Sequence, residues 1–77
     1  MLSLLPYNKS MHTDIPQWVQ WLAQDADGQW WGYEAEPNRS HNGWYENEVG
    51  RFIRLDRGEA NPEWAGSLMP IAHAREL

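Results

Sequence analysis

Between residues 17 and 35 the chain alternates apolar and polar positions twice, as half-buried strands do, with a polar turn between the two stretches. Gln17 to Gln24 and Gln29 to Ala35 are both rich in β-branched and aromatic residues, and Asp25-Ala26-Asp27-Gly28 separates them. An aspartate opening a turn accepts hydrogen bonds from nearby backbone N–H groups. A closing glycine takes the positive φ that a type I turn with a following bulge needs. The pattern therefore predicts an antiparallel hairpin. Alternation puts Val19, Trp21 and Ala23 on one face of its first strand and Trp18 and Leu22 on the other. In the second strand Trp31, Tyr33 and Ala35 share a face, and Trp30, Gly32, Glu34 and Glu36 form the other unless Gly32 marks a bulge. A lone hairpin is marginal in water, so later strands must join it.

Pro37 to Gly43 is a run of turn formers. Trp44 to Val49 then reads as a third strand, with Trp44, Glu46 and Glu48 alternating against Tyr45, Asn47 and Val49. Gly50 breaks it. Arg51 to Leu55 reads as a fourth, turning either Ile53 and Leu55 or Phe52 inward. After a turn at Arg57-Gly58-Glu59-Ala60, Asn61 suits a helix N-cap, Pro62 the first helical position and Glu63 the first turn. Trp64 and Leu68 would lie on one face of that helix, and Gly66 and Pro70 keep it to about two turns. The expected fold is mainly β (α+β): a small antiparallel sheet of three to four strands, lidded by one short C-terminal helix. Residues 1–16 read as an irregular arm, 17–69 as a single β-rich domain and 70–77 as a tail; Met11 is an alternative translation start.

Composition narrows the setting. A chain of 77 residues makes one domain, burying about 60–65% of its unfolded surface. With no cysteine there is no disulfide staple and no thiolate zinc site. The six tryptophans take over that stabilising role, each able to bury ~150–250 Å². Lack of cysteine fits a reducing host cytoplasm. No apolar run reaches membrane-spanning length, and Met1 to Pro6 lacks the basic start of a signal peptide.

The net charge of −5 disfavours direct nucleic-acid binding. From Asp14 to Glu48 seven acids face Arg39 alone, whereas Val49 to Arg57 holds three arginines against Asp56. An acidic face beside a small basic strip is expected.

Asp25, Asp27, Gly28 and Glu34 match part of a calcium-binding EF-hand loop, but Ala23 stands where its first ligand belongs and the flanks read as strands. They serve better as a hairpin turn. His12, His41 and His73 lie in three separate segments without metal-ligand spacing. Glu34, Glu36, Glu46 and Glu48 could pair as a glycosidase-like carboxylate dyad, but a chain this small rarely encloses a substrate, and a solvated acidic face is the simpler reading. Nothing here asks for a cofactor, a metal or catalysis. Trp21, Trp31, Trp44 and Trp64 are most economically core, leaving Trp18 and Trp30 either for the surface or an interface or for burial under the N-terminal arm or the helix. Exposed aromatics beside acids form a hot-spot pattern for protein partners. The candidate protein-binding residues are thus Trp18, Trp30, Glu34, Glu36, Trp44, Glu46 and Glu48.

Trp21 and Trp44 stand 23 residues apart with a turn and aromatics between. This resembles the spacing of WW domains, three-stranded modules that bind proline-rich peptides, although Tyr45-Glu46-Asn47 replaces the closing proline of that family. In texture the chain resembles small Trp-rich accessory proteins of tailed bacteriophages and prophages. Trp18 to Tyr33, Gly43-Trp44-Tyr45, Gly50-Arg51 and Asn61-Pro62-Glu63-Trp64 carry that likeness. It implies a phage or prophage source and a small non-catalytic role. Taken with the acidity, the chain reads as one that binds and modulates or inhibits a host or phage protein with a basic surface, for instance a nucleic-acid enzyme. A self-assembling module, such as a homodimer closing an edge strand, is the alternative.

Overall fold

The computed structural model describes residues 15–72, so most of the expected arm and tail lie outside the described residues. Among the described residues six strands run in chain order: β1 (Trp21–Gln24), β2 (Gln29–Tyr33), β3 (Asn38–Arg39), β4 (Trp44–Tyr45), β5 (Phe52–Arg57) and β6 (Met69–Pro70). Four form an antiparallel sheet in the order β5-β2-β1-β6, and β3 and β4 pair as a separate ribbon.

The central hairpin forms as its sequence predicts. Trp21 faces Tyr33 and Gln24 faces Trp30 across β1 and β2. The Asp25 carbonyl accepts the Gly28 N–H at 2.9 Å, Asp27 Oδ1 accepts the Gln29 N–H at 3.0 Å, and Gly28 has φ +97°. The first strand starts at Trp21, later than expected. Val19 donates its N–H to the Pro16 carbonyl at 3.1 Å in a turn, which throws Val19 out of the alternation and places it beside Leu22 in the core.

Register decides which face is which. Leu22, Gly32 and Ile53 align across three strands. A Cβ at Gly32 would meet the Val19 methyls at 3.0 and 3.1 Å, so the glycine is what lets the segment before β1 lie on the sheet. Val19, Leu22, Trp30, Met69 and Ile71 form the buried core, with Ile15, Trp18, Ile53 and Leu55 packed against it. Trp30 is therefore no surface residue: it is 6% exposed, on the face that the segments around Val19 and Met69 close. Conversely Trp21, Trp31, Trp44 and Trp64, expected as core, are half-buried.

The bulge lies in β5 rather than at Gly32. Gln29 faces Arg57 and Trp31 faces Arg54, so Leu55 and Asp56 together oppose Trp30. The buried Gln29 amide donates to the carbonyls of Leu55, Asp56 and Trp30, satisfying backbone groups that the bulge takes out of the ladder. Ile53 and Leu55 turn inward, and Phe52 outward.

Two expectations fail further along. The strand expected from Trp44 to Val49 is only two residues long and pairs with Asn38–Arg39, inside the stretch read as loop. The helix expected from Asn61 is a single 3-10 turn, Trp64–Gly66. Its continuation would need the Trp64 carbonyl as acceptor for Leu68. That oxygen instead accepts the Ser67 N–H at 3.0 Å, the Ser67 hydroxyl at 2.7 Å and the Trp44 indole N–H at 3.3 Å. Ser67 Oγ also accepts the Gln24 N–H at 2.8 Å, tying this turn to the end of β1. The chain then leaves as β6.

Candidate functional site

The face of the sheet opposite the core carries Trp31, Tyr33 and Phe52, with the β3–β4 ribbon standing beside it. Asp25 fixes this arrangement. Its Oδ2 accepts the Trp31 indole N–H at 3.0 Å, and its Oδ1 accepts the Trp44 backbone N–H at 3.2 Å. The turn before β4 can come this close because residue 43 is glycine; a Cβ there would lie 3.1 Å from Asp25 Oδ1. The Trp44 indole reaches the Gln24 carbonyl at 3.1 Å and packs edge-on against Trp64, centroids 6.2 Å apart. Trp31 and Phe52 meet at 6.1 Å with their rings tilted by 49°.

These contacts leave a cleft of about 200 Å³ whose floor is Trp31, Tyr33, Trp44 and Phe52 and whose polar groups come from Asp25 and Glu46. Tyr45, 50% exposed, stands at its rim, and Phe52 is 48% exposed. Tyr33 is only 4% exposed. Burial pushes its phenol well above the usual tyrosine range, and the charges of Asp25 and Glu46 push it further the same way. Among the described residues the Tyr33 hydroxyl has no hydrogen-bond partner, and neither Asp25 nor Glu46 has an ion-pair partner.

The residues singled out from sequence separate into distinct places. Trp44 and Glu46 line the cleft. Trp18 and Glu34 lie elsewhere, together with Arg51. The Arg51 guanidinium sits 4.6 Å above the Trp18 ring and is held by both Glu34 oxygens at 3.1 Å. Glu34 Oε1 also accepts the Arg51 backbone N–H at 2.9 Å. These hydrogen bonds hold the Glu34 carboxyl below the usual glutamate range. Glu36 and Glu48 are exposed. Trp30 is in the core and cannot serve as a surface anchor. The carboxylates of the EF-hand-like run face different partners: Asp25 the two tryptophans, Asp27 Arg57 at 3.4 Å, and Glu34 Arg51.

Asp25, Tyr33, Tyr45 and Phe52 were not among the sequence candidates, nor was Trp31. Alternation did place Trp31 and Tyr33 on one face, but Asp25, once the partial EF-hand match is set aside, reads as a turn residue. A second, more open concavity of about 410 Å³ is lined by Arg39, Ser40, His41, Trp64 and Ala65. Its serine hydroxyl is occupied within the β3–β4 turn, accepting the Asn42 and Gly43 N–H groups at 3.1 Å.

Compared with protein-family models, with curated proteins and with solved structures, the chain matches none. Among the described residues no helix is long and apolar enough to cross a membrane.

Proposed function

We propose that this chain is a small non-catalytic binding module, an accessory protein of phage or prophage type acting in the host cytoplasm, that docks a host or phage protein through the acidic aromatic face around Trp44 and Glu46. One observation carries the reading: large aromatic side chains, Tyr45 and Phe52 above all, stay half-exposed around a cleft that holds two carboxylates without ion-pair partners among the described residues. A small domain gains stability by burying such rings, so leaving them out favours a partner surface. The excess of acids over bases, eleven against six, selects a partner with a basic surface and steers its approach. A nucleic-acid enzyme, whose groove is basic, is the partner class that best matches.

The test is kinetic. With a partner recovered from host lysate, association should slow as salt rises, and reversing Glu46 and Glu48 to Lys should slow it further at low salt. Tyr45→Ala and Phe52→Ala should instead speed dissociation. A partner indifferent to salt, to the charge reversals and to both aromatic truncations would refute the proposal. A second reading, self-assembly, rests on β5: it is a six-residue edge strand whose outer side is unpaired among the described residues. Its exposed Arg54 and Arg57 blunt that edge. Sedimentation showing a stable dimer of the free chain would favour that reading.

A further inference from the structure

The molecule already contains one complete guanidinium site. Arg51 lies over Trp18 at 4.6 Å while both oxygens of Glu34 grip its fork. This is the geometry in which arginine outperforms lysine: a flat cation stacked on an aromatic face, with in-plane N–H donors directed at a carboxylate.

The cleft beside β4 presents the same chemistry without the cation. Trp31, Trp44 and Phe52 supply aromatic surface, and Asp25 and Glu46 supply negative charge. Asp25 spends one lone pair on each of two N–H donors, and a carboxylate has about four such sites. Tyr33 as a residue is nine-tenths buried, and its hydroxyl, without a partner among the described residues, adds an acceptor at the same cleft. A donor entering the cleft would satisfy a hydroxyl that no described residue pairs. The volume, about 200 Å³, is below the ~300–1,000 Å³ of ordinary small-molecule pockets, and it suits one long side chain.

We infer that the cleft formed by Asp25, Trp31, Tyr33, Trp44, Glu46 and Phe52 receives an arginine side chain from the basic surface of the partner protein. The guanidinium stacks on the aromatic floor and donates to Tyr33 Oη and to the two carboxylates. This rests on the docking function proposed above and names the group that the docking face recognises.

The inference can be tested on the full chain without the partner, by following the indole N–H signals of Trp31 and Trp44 in two-dimensional NMR during titration with N-acetyl-arginine amide. Both signals should shift saturably, in the millimolar range. The citrulline analogue, the same shape without charge, should bind at least about tenfold more weakly, given the larger strength of charge-assisted bonds. Glu46→Gln, at an exposed position, should weaken arginine about twofold to fivefold. Tyr33→Phe should weaken it about threefold to tenfold while leaving the urea midpoint unchanged or higher, since the hydroxyl it removes is unpaired.

Equal response to citrulline, or no saturable shift, would overturn the inference, as would tighter binding of N-acetyl-lysine amide. Cleft signals that change with protein concentration, and stop doing so in an Arg54→Glu, Arg57→Glu variant, would replace the partner's arginine with one from a second copy. A partner whose binding responds to salt and to Tyr45→Ala but not to Tyr33→Phe would leave the docking function standing and remove only this occupant.

Discussion

Replacing Gly28 with alanine tests the hairpin and its packing at one atom. Two effects add. First, φ is +97° at this position, and a left-handed backbone costs a residue with a Cβ about 1–2 kcal/mol. Second, the new Cβ would lie 2.3 Å from the Gly58 carbonyl oxygen and 2.7 Å from that of Glu59. Both obstacles are backbone, so the 58–61 segment must move away. That segment is held by Gly58 N–H to the Gly28 carbonyl at 2.7 Å and Asn61 N–H to the Ala26 carbonyl at 2.9 Å. The Gln24 side chain braces the same junction, donating to the Gly28 carbonyl at 3.0 Å and accepting from Asn61 Nδ2 at 2.9 Å. Losing one or two such bonds costs about 0.5–1.5 kcal/mol each, and the total is about 1.5–5 kcal/mol. A domain of 77 residues has about 4–12 kcal/mol in all at 0.05–0.15 kcal/mol per residue. Urea unfolding followed by tryptophan fluorescence should show the midpoint falling by about 1.5 M or more, taking a slope near 1 kcal/mol per molar. Gly28→Val should fall further. Gly66→Ala is the control: its Cβ meets nothing within 4 Å and φ is not positive, so its midpoint should hold or rise slightly. A Gly28→Ala midpoint matching that of the parent would refute both the turn geometry and the docking of 58–61 against it.

Trp30→Ala should cost about 3–5 kcal/mol, while Trp64→Ala, at a half-buried position in one edge-on pair with Trp44, should cost about 1–2 kcal/mol; the reverse order in urea unfolding would overturn the core assignment. Tyr33 gives an alkaline signature: its folded pKa lies above the unfolded value, so above about pH 10 the unfolded state releases a proton that the folded state keeps, and stability falls as pH rises. That loss should be absent in Tyr33→Phe, and equal pH slopes in parent and variant would show that Tyr33 is not buried as described.

The parts of the fold that the sequence made legible are those in which local chemistry and packing agree. The 25–28 turn is one: Asp, Asp and Gly each do there what their side chains do in any hairpin. The helix was misread because its signals are real but short-range. Asn61 Oδ1 does accept the Glu63 N–H at 2.8 Å, yet the Trp64 carbonyl is taken by Ser67 and Trp44, and those partners come from tertiary structure. The tryptophans were misassigned for a related reason. Alternation correctly divided Trp30 from Trp31, but which face becomes the core is set by what lands on it. That was decided by Val19 against Gly32 and by Met69 pairing opposite Leu22, 47 positions away. No periodicity within a single strand carries such information. The cleft was illegible for the same reason: Asp25 becomes its organiser only when Trp44, 19 positions on, brings its N–H to the carboxylate.

An acidic chain with few bases must divide its carboxylates between holding the fold and facing solvent, and here the division follows the arginines. Arg51 is fixed on Glu34 and Trp18, joining the end of β2 to the start of β5. Arg57 pairs with Asp27 across the same two strands. Arg39 lines the other concavity, and Arg54 lies exposed on β5. Among the described residues none of these arginines pairs with Asp25 or Glu46. Asp25 is instead held by neutral N–H donors, which fix its position without cancelling its charge. That difference separates a carboxylate that closes the fold from one that can still attract a cation. The Glu34 charge is already neutralised by a guanidinium inside the molecule, whereas Asp25 and Glu46 keep theirs at the cleft that Trp31, Trp44 and Phe52 line.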